Sequence, residues 1–250
     1  MNASVSIVIP VFNQRPDLLK RAVLSALSQG PQVAEVVVVD DGSTRTFLEL
    51  PSDARVRVLA HAENRGISAA LNTGLRAMRG SWFCWLSSDD TFAEGKVPRQ
   101  LGELRATDKK AGCHGYVRVP ADTDEEDGAP VFGTLCWPPL WNDGDGARKE
   151  LAHRCSVNGS TVMIHRSVFD AVGEFDARYR YGQDWEMWCR IASRFDWHRT
   201  VAILGTRREG ENLTETIAGN PALAARRDEE DRQIKRRWGP IFCGCEKCRR

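Results

Sequence analysis

The stretch WFCWLSSDD, residues 82–90, joins a continuous apolar run to two adjacent carboxylates. A second stretch with the same plan, VVVVDDGS, occupies residues 36–43. Runs that are apolar on both faces are typical of central strands in a parallel sheet, and such sheets bind ligands at the carboxyl ends of their strands. Two carboxylates at a strand end repel each other unless a cation lies beside them. Because Mg²⁺ or Mn²⁺ carrying a phosphate group meets that need, the pattern predicts such a site at the sheet edge.

Each acidic pair also has a purely structural interpretation. Asp and Ser commonly cap turns and the helices that follow them, so either pair alone is weak evidence for a ligand site. Two pairs that each close a fully apolar strand favour the binding interpretation over capping.

Strands and helices alternate along the chain. Apolar runs predict strands, and apolar residues at helical spacing predict helices. Strands are expected at 5–11, 36–39, 56–59, 82–86 and 157–165, and helices at 18–27, 66–78, 167–172, 184–195 and from 221 onward. Over about residues 4–105 this alternation indicates right-handed βαβ units and an α/β sheet.

Composition limits the classes of function. The chain has 35 basic and 34 acidic residues, so its net charge gives no reason to expect a nucleic-acid partner. The N-terminus lacks the basic and apolar regions of a signal peptide, and no apolar stretch approaches the roughly 20 residues that span a bilayer. We therefore expect a soluble, cytoplasmic protein with mostly reduced cysteines. In such a protein the glycosylation sequon at residues 158–160 would carry no meaning.

Five ordered segments carry a resemblance to a known family. They are VIPVFN (residues 8–13), VDDGS (39–43), NRGISAALNTG (64–74), LSSDD (86–90) and YGQDWE (181–186). In this order they resemble the family 2 glycosyltransferases of the GT-A fold. The resemblance implies an α/β fold with a Rossmann-like, mostly parallel sheet flanked by helices and a C-terminal helical tail.

The resemblance also implies a domain plan and a reaction. A GT-A domain would occupy residues 1–215, with a nucleotide-binding half at about 4–105 and an acceptor-binding half at 106–215. A charged helical tail with cysteines would occupy 216–250. The reaction would move a sugar, with inversion, from a nucleotide-diphosphate sugar to a hydroxyl of a saccharide, lipid-linked or protein acceptor. UDP is the expected nucleotide, and glycan, polysaccharide or glycolipid assembly is the family's common setting.

The nucleoside pocket follows from the same resemblance. Pro10, Val11 and Phe12 would line the base. Asp41 would hydrogen-bond the base or the ribose, and Asn64 belongs to the same nucleotide-sugar-binding set.

The second acidic pair corresponds to the family's metal-binding motif. Asp89 would reach the ribose or the water shell of the metal, and Asp90 would coordinate Mn²⁺ or Mg²⁺ directly. The metal would stabilise the departing diphosphate as a Lewis acid. Glu209 falls where many relatives carry a histidine, so it would either supply an oxygen ligand or leave the site without that contact. Arg207 would neutralise the diphosphate, with a surface salt bridge as the alternative.

Asp184 is the expected catalytic base. It follows a Tyr-Gly-Gln stretch at the start of a predicted helix, where the family places an acid that faces the acceptor. A carboxylate within hydrogen-bond reach of a hydroxyl can remove its proton, which is typically worth about 10²–10⁴-fold in rate. The alternative is that Asp184 merely caps the helix. Glu186, two residues further on, would point away from Asp184.

The C-terminal tail leaves its own alternatives open. Cys243, Cys245 and Cys248 have C-x-C-x-x-C spacing, which would bind zinc only with a fourth ligand from elsewhere and would otherwise be an exposed, redox-sensitive tail. The basic residues around Trp238 would also suit peripheral contact with an anionic membrane surface.

Two other functions are compatible with an α/β fold of this kind. A sugar nucleotidyltransferase needs a glycine-rich phosphate loop after its first strand, and PVFNQR at residues 10–15 contains no glycine. A nucleotide-sugar-binding module without catalysis would not need the acids at Asp90 and Asp184. Both are therefore weaker than the transferase interpretation.

Overall fold

A mixed β-sheet forms the centre of the computed structural model, which describes residues 4–44, 50–120, 133–137, 141, 144–210 and 219–243. The strands in these ranges are β1 (Val5–Val11), β2 (Val33–Asp40), β3 (Val56–Ala60), β4 (Trp82–Trp85), β5 (Thr91–Phe92), β6 (Ala111–Val119), β7 (Thr134–Cys136), β8 (Met163–His165) and β9 (Trp197–Arg208). The helices are α1 (Pro16–Leu27), α2 (Ile67–Ala77), α3 (Lys96–Ala106), α4 (Gly144–Leu151), α5 (Arg166–Val172), α6 (Gln183–Ala192) and α7 (Pro221–Phe242). The predicted α/β class is confirmed.

The sheet order is β3-β2-β1-β4-β8-β6-β9-β5, and β7 pairs with β6. The predicted parallel pairing is confirmed for β1, β2, β3 and β4, whereas β5, β7 and β8 pair antiparallel with their neighbours. The register sets Val11 beside Asp40 and Val8 beside Trp85. The acidic residues that follow β2 and β4 therefore emerge at one edge of the sheet.

Helices cover both faces of the parallel strands. Ile7 and Val8 are neighbours on β1, and both are fully buried. Ile7 belongs to the apolar cluster that contains Leu19 of α1, and Val8 to the cluster that contains Leu71 of α2. Because every residue of such a strand meets a helix, the sequence is a continuous apolar run rather than an alternating one.

The strand predicted at 157–165 is wrong over most of its length. The chain makes a 3₁₀ turn at Gly159–Thr161, and β8 begins only at Met163. The side-chain oxygen of Asn158 caps this turn by accepting the N–H of Ser160 at 2.9 Å. A Cβ on Gly159 would lie 2.5 Å from the Trp85 ring, so glycine lets the turn lie directly against β4. Val157 and Val162, which precede β8, are buried by tertiary contact without strand pairing.

The C-terminal helix α7 is confirmed, and it packs into the core of the domain. Ile234, Trp238 and Phe242 join the same apolar cluster as residues of α4 and α6. Where the structure describes residues 216–250, they are thus continuous with the domain, while Cys245 and Cys248 lie outside the described residues. None of the described helices has both the length and the apolar character needed to cross a bilayer.

Gly74→Ala is expected to destabilise the protein by about 1–3 kcal/mol, the usual cost of overpacking a core. A Cβ at this position of α2 would lie 2.3 Å from Cγ1 of the buried Val8. Gly102→Ala in α3 is the matched control, because its added methyl group meets nothing within 4 Å. The control should gain about 0.5–1 kcal/mol from helix propensity. Urea unfolding measures both variants, and equal midpoints would contradict the close packing of α2 on β1.

Candidate functional site

A cavity of about 710 Å³ opens at the sheet edge where β1, β2 and β4 end. The start of α6, the end of β9 and one face of α7 complete its walls. Nine of the ten site residues expected from the sequence line this cavity: Pro10, Val11, Phe12, Asp41, Asn64, Asp89, Asp90, Asp184 and Arg207. The tenth, Glu209, is not among the lining residues. The structure therefore brings together groups that lie up to 197 positions apart in the chain (Pro10 to Arg207).

The wall after β1 is apolar. Val11 is buried, and Phe12 leaves 48% of its surface exposed at the cavity. Val11 is the last residue of β1, every residue of which is buried, and Phe12 follows it. A flat aromatic ligand would find an apolar surface here.

Asp41 organises the loop that precedes α2. Its carboxylate accepts the backbone N–H of Arg65 at 2.9 Å and that of Gly66 at 2.7 Å, and it contacts His61 Nδ1 at 2.7 Å. The other ring nitrogen of His61 lies 2.9 Å from Thr73 Oγ1. Asp41 thus holds the 64–66 loop in the cavity wall, and its expected contact with the nucleoside stays a prediction. His61 was not identified from the sequence, which shows no motif around it.

Asp90 is a buried carboxylate with two hydrogen-bond donors. Ser160 Oγ donates to Oδ2 at 2.6 Å, and the backbone N–H of Arg208 donates to Oδ1 at 3.0 Å. Burial, reinforced by the adjacent charge of Asp89, raises the pKa of Asp90 to about 8. Ser160 could not be identified from the sequence, where it belongs only to a glycosylation sequon, but the 3₁₀ turn places its hydroxyl against Asp90.

The acidic pair suits a divalent metal only when substrate oxygens complete the ligand set. Among the described residues, no group of three His, Cys, Asp or Glu side chains is placed to hold a metal. Glu209 does not join Asp89 and Asp90, because it forms an ion pair with Arg118 at 3.1 Å. Burial and the charge of Asp89 raise the pKa of Asp90, so its charged form needs compensation by a nearby positive charge. A cation shared by these carboxylates and phosphate oxygens would supply it, as is usual for Mg²⁺.

Asp184 lies partly buried in the cavity wall at the second position of α6. Its Oδ1 accepts the N–H of Trp185 at 2.7 Å, and the thiol of Cys155 donates to Oδ2 at 3.7 Å. The helix is capped by Gly182, so the alternative of Asp184 as the N-cap is wrong. Burial raises the pKa of Asp184 to about 6. A carboxylate that titrates near neutrality is suited to accept a proton.

Glu186 has a structural role away from the cavity. It is fully buried and pairs with Arg190 of the same helix at 2.7 Å, and Arg237 of α7 lies 3.5 Å from it. Its expected orientation away from Asp184 agrees with these contacts and with its absence from the cavity lining.

The turn before Asp184 is held by a carboxylate from α7. Glu230 is buried and accepts the backbone N–H groups of Arg180, Tyr181 and Gly182 at 3.1, 2.7 and 3.0 Å. A Cβ on Gly182 would lie 2.8 Å from Ile234, one helical turn further along α7. The position of Asp184 therefore depends on α7.

Sequence reasoning missed Glu230 because α7 has the composition of a solvated charged helix. The sequence of α7 nevertheless contains a pattern that indicates its buried face. Buried residues recur every four positions at 230, 234, 238 and 242, which marks the face of α7 that packs on the domain.

Comparisons with known proteins agree with this architecture. The family model described as Glycosyl transferase family 2 matches residues 6–173. An uncharacterized glycosyltransferase of Rickettsia prowazekii is 31% identical over 197 residues, which cover 75% of this chain and 58% of the relative. The UDP-Glc:alpha-D-GlcNAc-diphosphoundecaprenol beta-1,3-glucosyltransferase WfaP of Escherichia coli is 25% identical over 193 residues, covering 76% and 70%. The chain thus spans little more than half the length of the Rickettsia relative.

Solved structures show the same fold. The crystal structure of S. aureus TarS 1-349 matches with a TM-score of 0.64 and 13% identity, covering 98% of this chain and 73% of that chain. The same protein in complex with UDP matches with a TM-score of 0.65 and 14% identity, again over 98% and 73%. At this identity the likeness establishes the fold alone, and it confirms the α/β GT-A class expected from the sequence.

Proposed function

Because the chain belongs to glycosyltransferase family 2, we propose that it transfers a sugar from a nucleotide-diphosphate sugar to an acceptor hydroxyl. One observation carries the proposal: a single cavity contains both the acidic pair after β4, Asp89 with the buried Asp90, and Asp184 on α6. The first arrangement suits a diphosphate with its metal, and the second suits a base. We further propose glycan assembly as the setting, since the matched relatives include WfaP and the succinoglycan biosynthesis protein ExoO of Rhizobium meliloti. ExoO is 40% identical over 39% of this chain and 28% of its own length.

The donor would occupy the side of the cavity formed by β1, β2 and β4. The apolar wall of Val11 and Phe12 would take the base, and the loop held by Asp41 would border the ribose. UDP is the proposed nucleotide, because WfaP is named for UDP-glucose and TarS was crystallised with UDP.

The diphosphate would lie beside the acidic pair. Asp90, with Asp89, would hold Mg²⁺ or Mn²⁺ together with the donor's phosphate oxygens, and a metal bound there would stabilise negative charge on the leaving diphosphate. Arg207 lines the same cavity, and its guanidinium would bind phosphate oxygens.

The transfer step would use Asp184 as base. The acceptor oxygen would attack the anomeric carbon while its proton passes to the Asp184 carboxylate. The bond between that carbon and the diphosphate oxygen would break, and the diphosphate would leave with the electron pair. A single displacement of this kind inverts the configuration at the anomeric carbon.

The proposed base predicts an acidic limb in the pH profile. Only deprotonated Asp184 can accept the proton, and burial raises its pKa to about 6. We therefore expect kcat/KM to rise with pH, to reach half of its plateau near pH 6 and to level off about one pH unit higher, since this ratio reports the free enzyme. Initial rates at saturating Mg²⁺ measure the profile, with thermal melting at each pH as the control for unfolding. A flat profile from about pH 5 to 8 would contradict Asp184 as base.

Thermal melting with nucleotides tests the donor site. UDP with Mn²⁺ is expected to stabilise the protein by about 2.7 kcal/mol when it is present at 100 times its dissociation constant. GDP, dTDP and CMP serve as competitors for the identity of the base. Asp90→Asn should lose the metal-dependent part of the shift, whereas Asp170→Asn, which changes an exposed carboxylate of α5, should keep it. The proposal fails if no nucleotide shifts the melting temperature with or without metal.

A further inference from the structure

Helix α7 presents a row of charged side chains to the cavity. Arg227, Asp231 and Lys235 recur every four residues, and all three line the cavity. The adjacent face of the helix carries the buried Glu230 and Ile234. The packing of α7 on the domain therefore holds the row in place. It also lies outside the residues that the family model matches, which end at 173.

The two cations of this row have no carboxylate partner among the residues that the structure describes. Within the described residues, no carboxylate oxygen forms an ion pair within 4.0 Å of Arg227 or Lys235. Their neighbours outside the cavity behave differently, since Arg226 pairs with Glu230 at 3.5 Å and Arg232 with Glu229 at 2.8 Å.

The charge on this wall is net positive. Arg180 also lines the cavity, but its guanidinium lies beside the 64–66 loop, where a Cβ on Gly66 would be 3.6 Å from Nη1. Asp231 is the carboxylate of the row; burial raises its pKa, and Arg227 and Lys235 oppose that shift. The row thus has two cations and one carboxylate, and this excess of positive charge attracts an anion. Guanidinium groups bind phosphate oxygens with paired hydrogen bonds, which favours a phosphate group as that anion.

The row lies beside the base. Lys235 Nζ lies 5.6 Å from the ring centre of Trp185, the residue after Asp184. Burial raises the pKa of Asp184, and Arg227 is near enough to oppose that shift. The groups expected to hold the donor diphosphate are on β4 and β9, whereas α7 packs on α4 and α6. Because the proposed base must touch the acceptor, the groups around the start of α6 would lie nearest to the acceptor.

We propose that Arg227 and Lys235 form an anion subsite for a phosphate or diphosphate group on the acceptor. This inference rests on the proposed transferase function and names its acceptor class. The acceptor's anionic group would lie along α7, and its free hydroxyl would reach Asp184. Binding would therefore orient the acceptor as well as attract it.

Binding of small acceptor-like probes tests the subsite. The probes are glucose 1-phosphate, farnesyl diphosphate and neutral glucose, titrated calorimetrically into protein saturated with UDP and Mg²⁺. We expect wild type to bind at least one phosphate compound and to bind glucose far more weakly. Preference for glucose 1-phosphate would indicate a soluble sugar phosphate, and preference for farnesyl diphosphate a lipid-linked acceptor.

The decisive variant is Arg227→Gln/Lys235→Gln. Hydrogen bonds to charged groups are typically worth about 1.5–3 kcal/mol, so the variant should bind the phosphate probe about 10–100-fold more weakly or worse. The charge-matched control Arg232→Gln/Arg236→Gln changes two exposed cations of α7 that do not line the cavity, and it should bind as wild type does.

Three outcomes would overturn the subsite. The first is that neither phosphate probe binds the wild-type protein. The second is that the cavity variant and the control variant bind the phosphate probe equally well. The third is that the cavity variant loses affinity for UDP itself, which would assign these cations to the donor. The UDP shift is measured first and separately. Failure of that shift would refute the proposed donor site, and probe binding without UDP would then still decide whether the cations bind an anion.

Discussion

Asp184→Asn is expected to lower kcat by about 10²–10⁴-fold, the range typical for removal of a general base. The amide cannot accept the proton of the acceptor hydroxyl at neutral pH, yet it has nearly the same size and can still accept the N–H of Trp185 that Oδ1 accepts at 2.7 Å. The affinity for UDP should stay within about two-fold of wild type, because no donor-binding group changes. Single-turnover rates and UDP titration measure the two quantities.

The control for this variant is Asp170→Asn, which removes one negative charge from an exposed position on α5. It should keep wild-type turnover. Unchanged turnover in Asp184→Asn would remove the catalytic assignment. A wild-type protein that binds UDP-sugar but never turns it over would instead favour the binding-module alternative.

Glu230→Ala is expected to lower kcat by about 10²-fold, the cost of a misplacement of roughly 1 Å near the reacting groups. The substitution removes the acceptor of three backbone N–H groups, those of Arg180, Tyr181 and Gly182. The turn that carries Asp184 would lose its anchor, while the donor side of the cavity would be unchanged. The KM for the donor should therefore change little. Steady-state kinetics with both substrates measures the separate effects on kcat and KM.

Two further variants separate positioning from mere structural support. Glu230→Gln keeps a carbonyl oxygen that can accept part of the N–H bonds, so it should recover part of the lost rate. Glu229→Ala changes the adjacent residue, whose carboxylate pairs with Arg232 on the surface of α7, and should behave as wild type. If Glu230→Ala lowers the free energy of unfolding but leaves kcat and its pH profile unaltered, Glu230 supports the fold alone.

Much of the fold could be predicted from local patterns. β1 and β2 are buried on both faces, so their sequences are continuous apolar runs, and the helices between strands have apolar residues at helical spacing. The antiparallel pairing of β8 and the 3₁₀ turn at Gly159–Thr161 could not be predicted this way. They depend on the close approach of Gly159 to Trp85, a contact between residues 74 positions apart.

The site was predictable wherever a functional residue ends an element. Asp41, Asp90 and Asp184 follow strands or begin a helix, and the parallel register of the sheet brings the first two to one edge. Glu209 shows the limit of that reasoning. Its position in the sequence matched a ligand position of the family, but its side chain pairs with Arg118 and is not among the residues that line the cavity.

Local sequence patterns were enough to predict the family, the parallel half of the sheet and the acids of the cavity. These features depend on periodicity and on residue order, which are local properties of the chain. Tertiary structure alone decided how the acids are held: Ser160 reaches Asp90 across 70 positions, and Glu230 reaches Tyr181 across 49. It also decided that α7 supplies part of the cavity wall. Hydrogen bonds and charge placement of this kind arise only when distant segments pack together, so no local pattern specifies them.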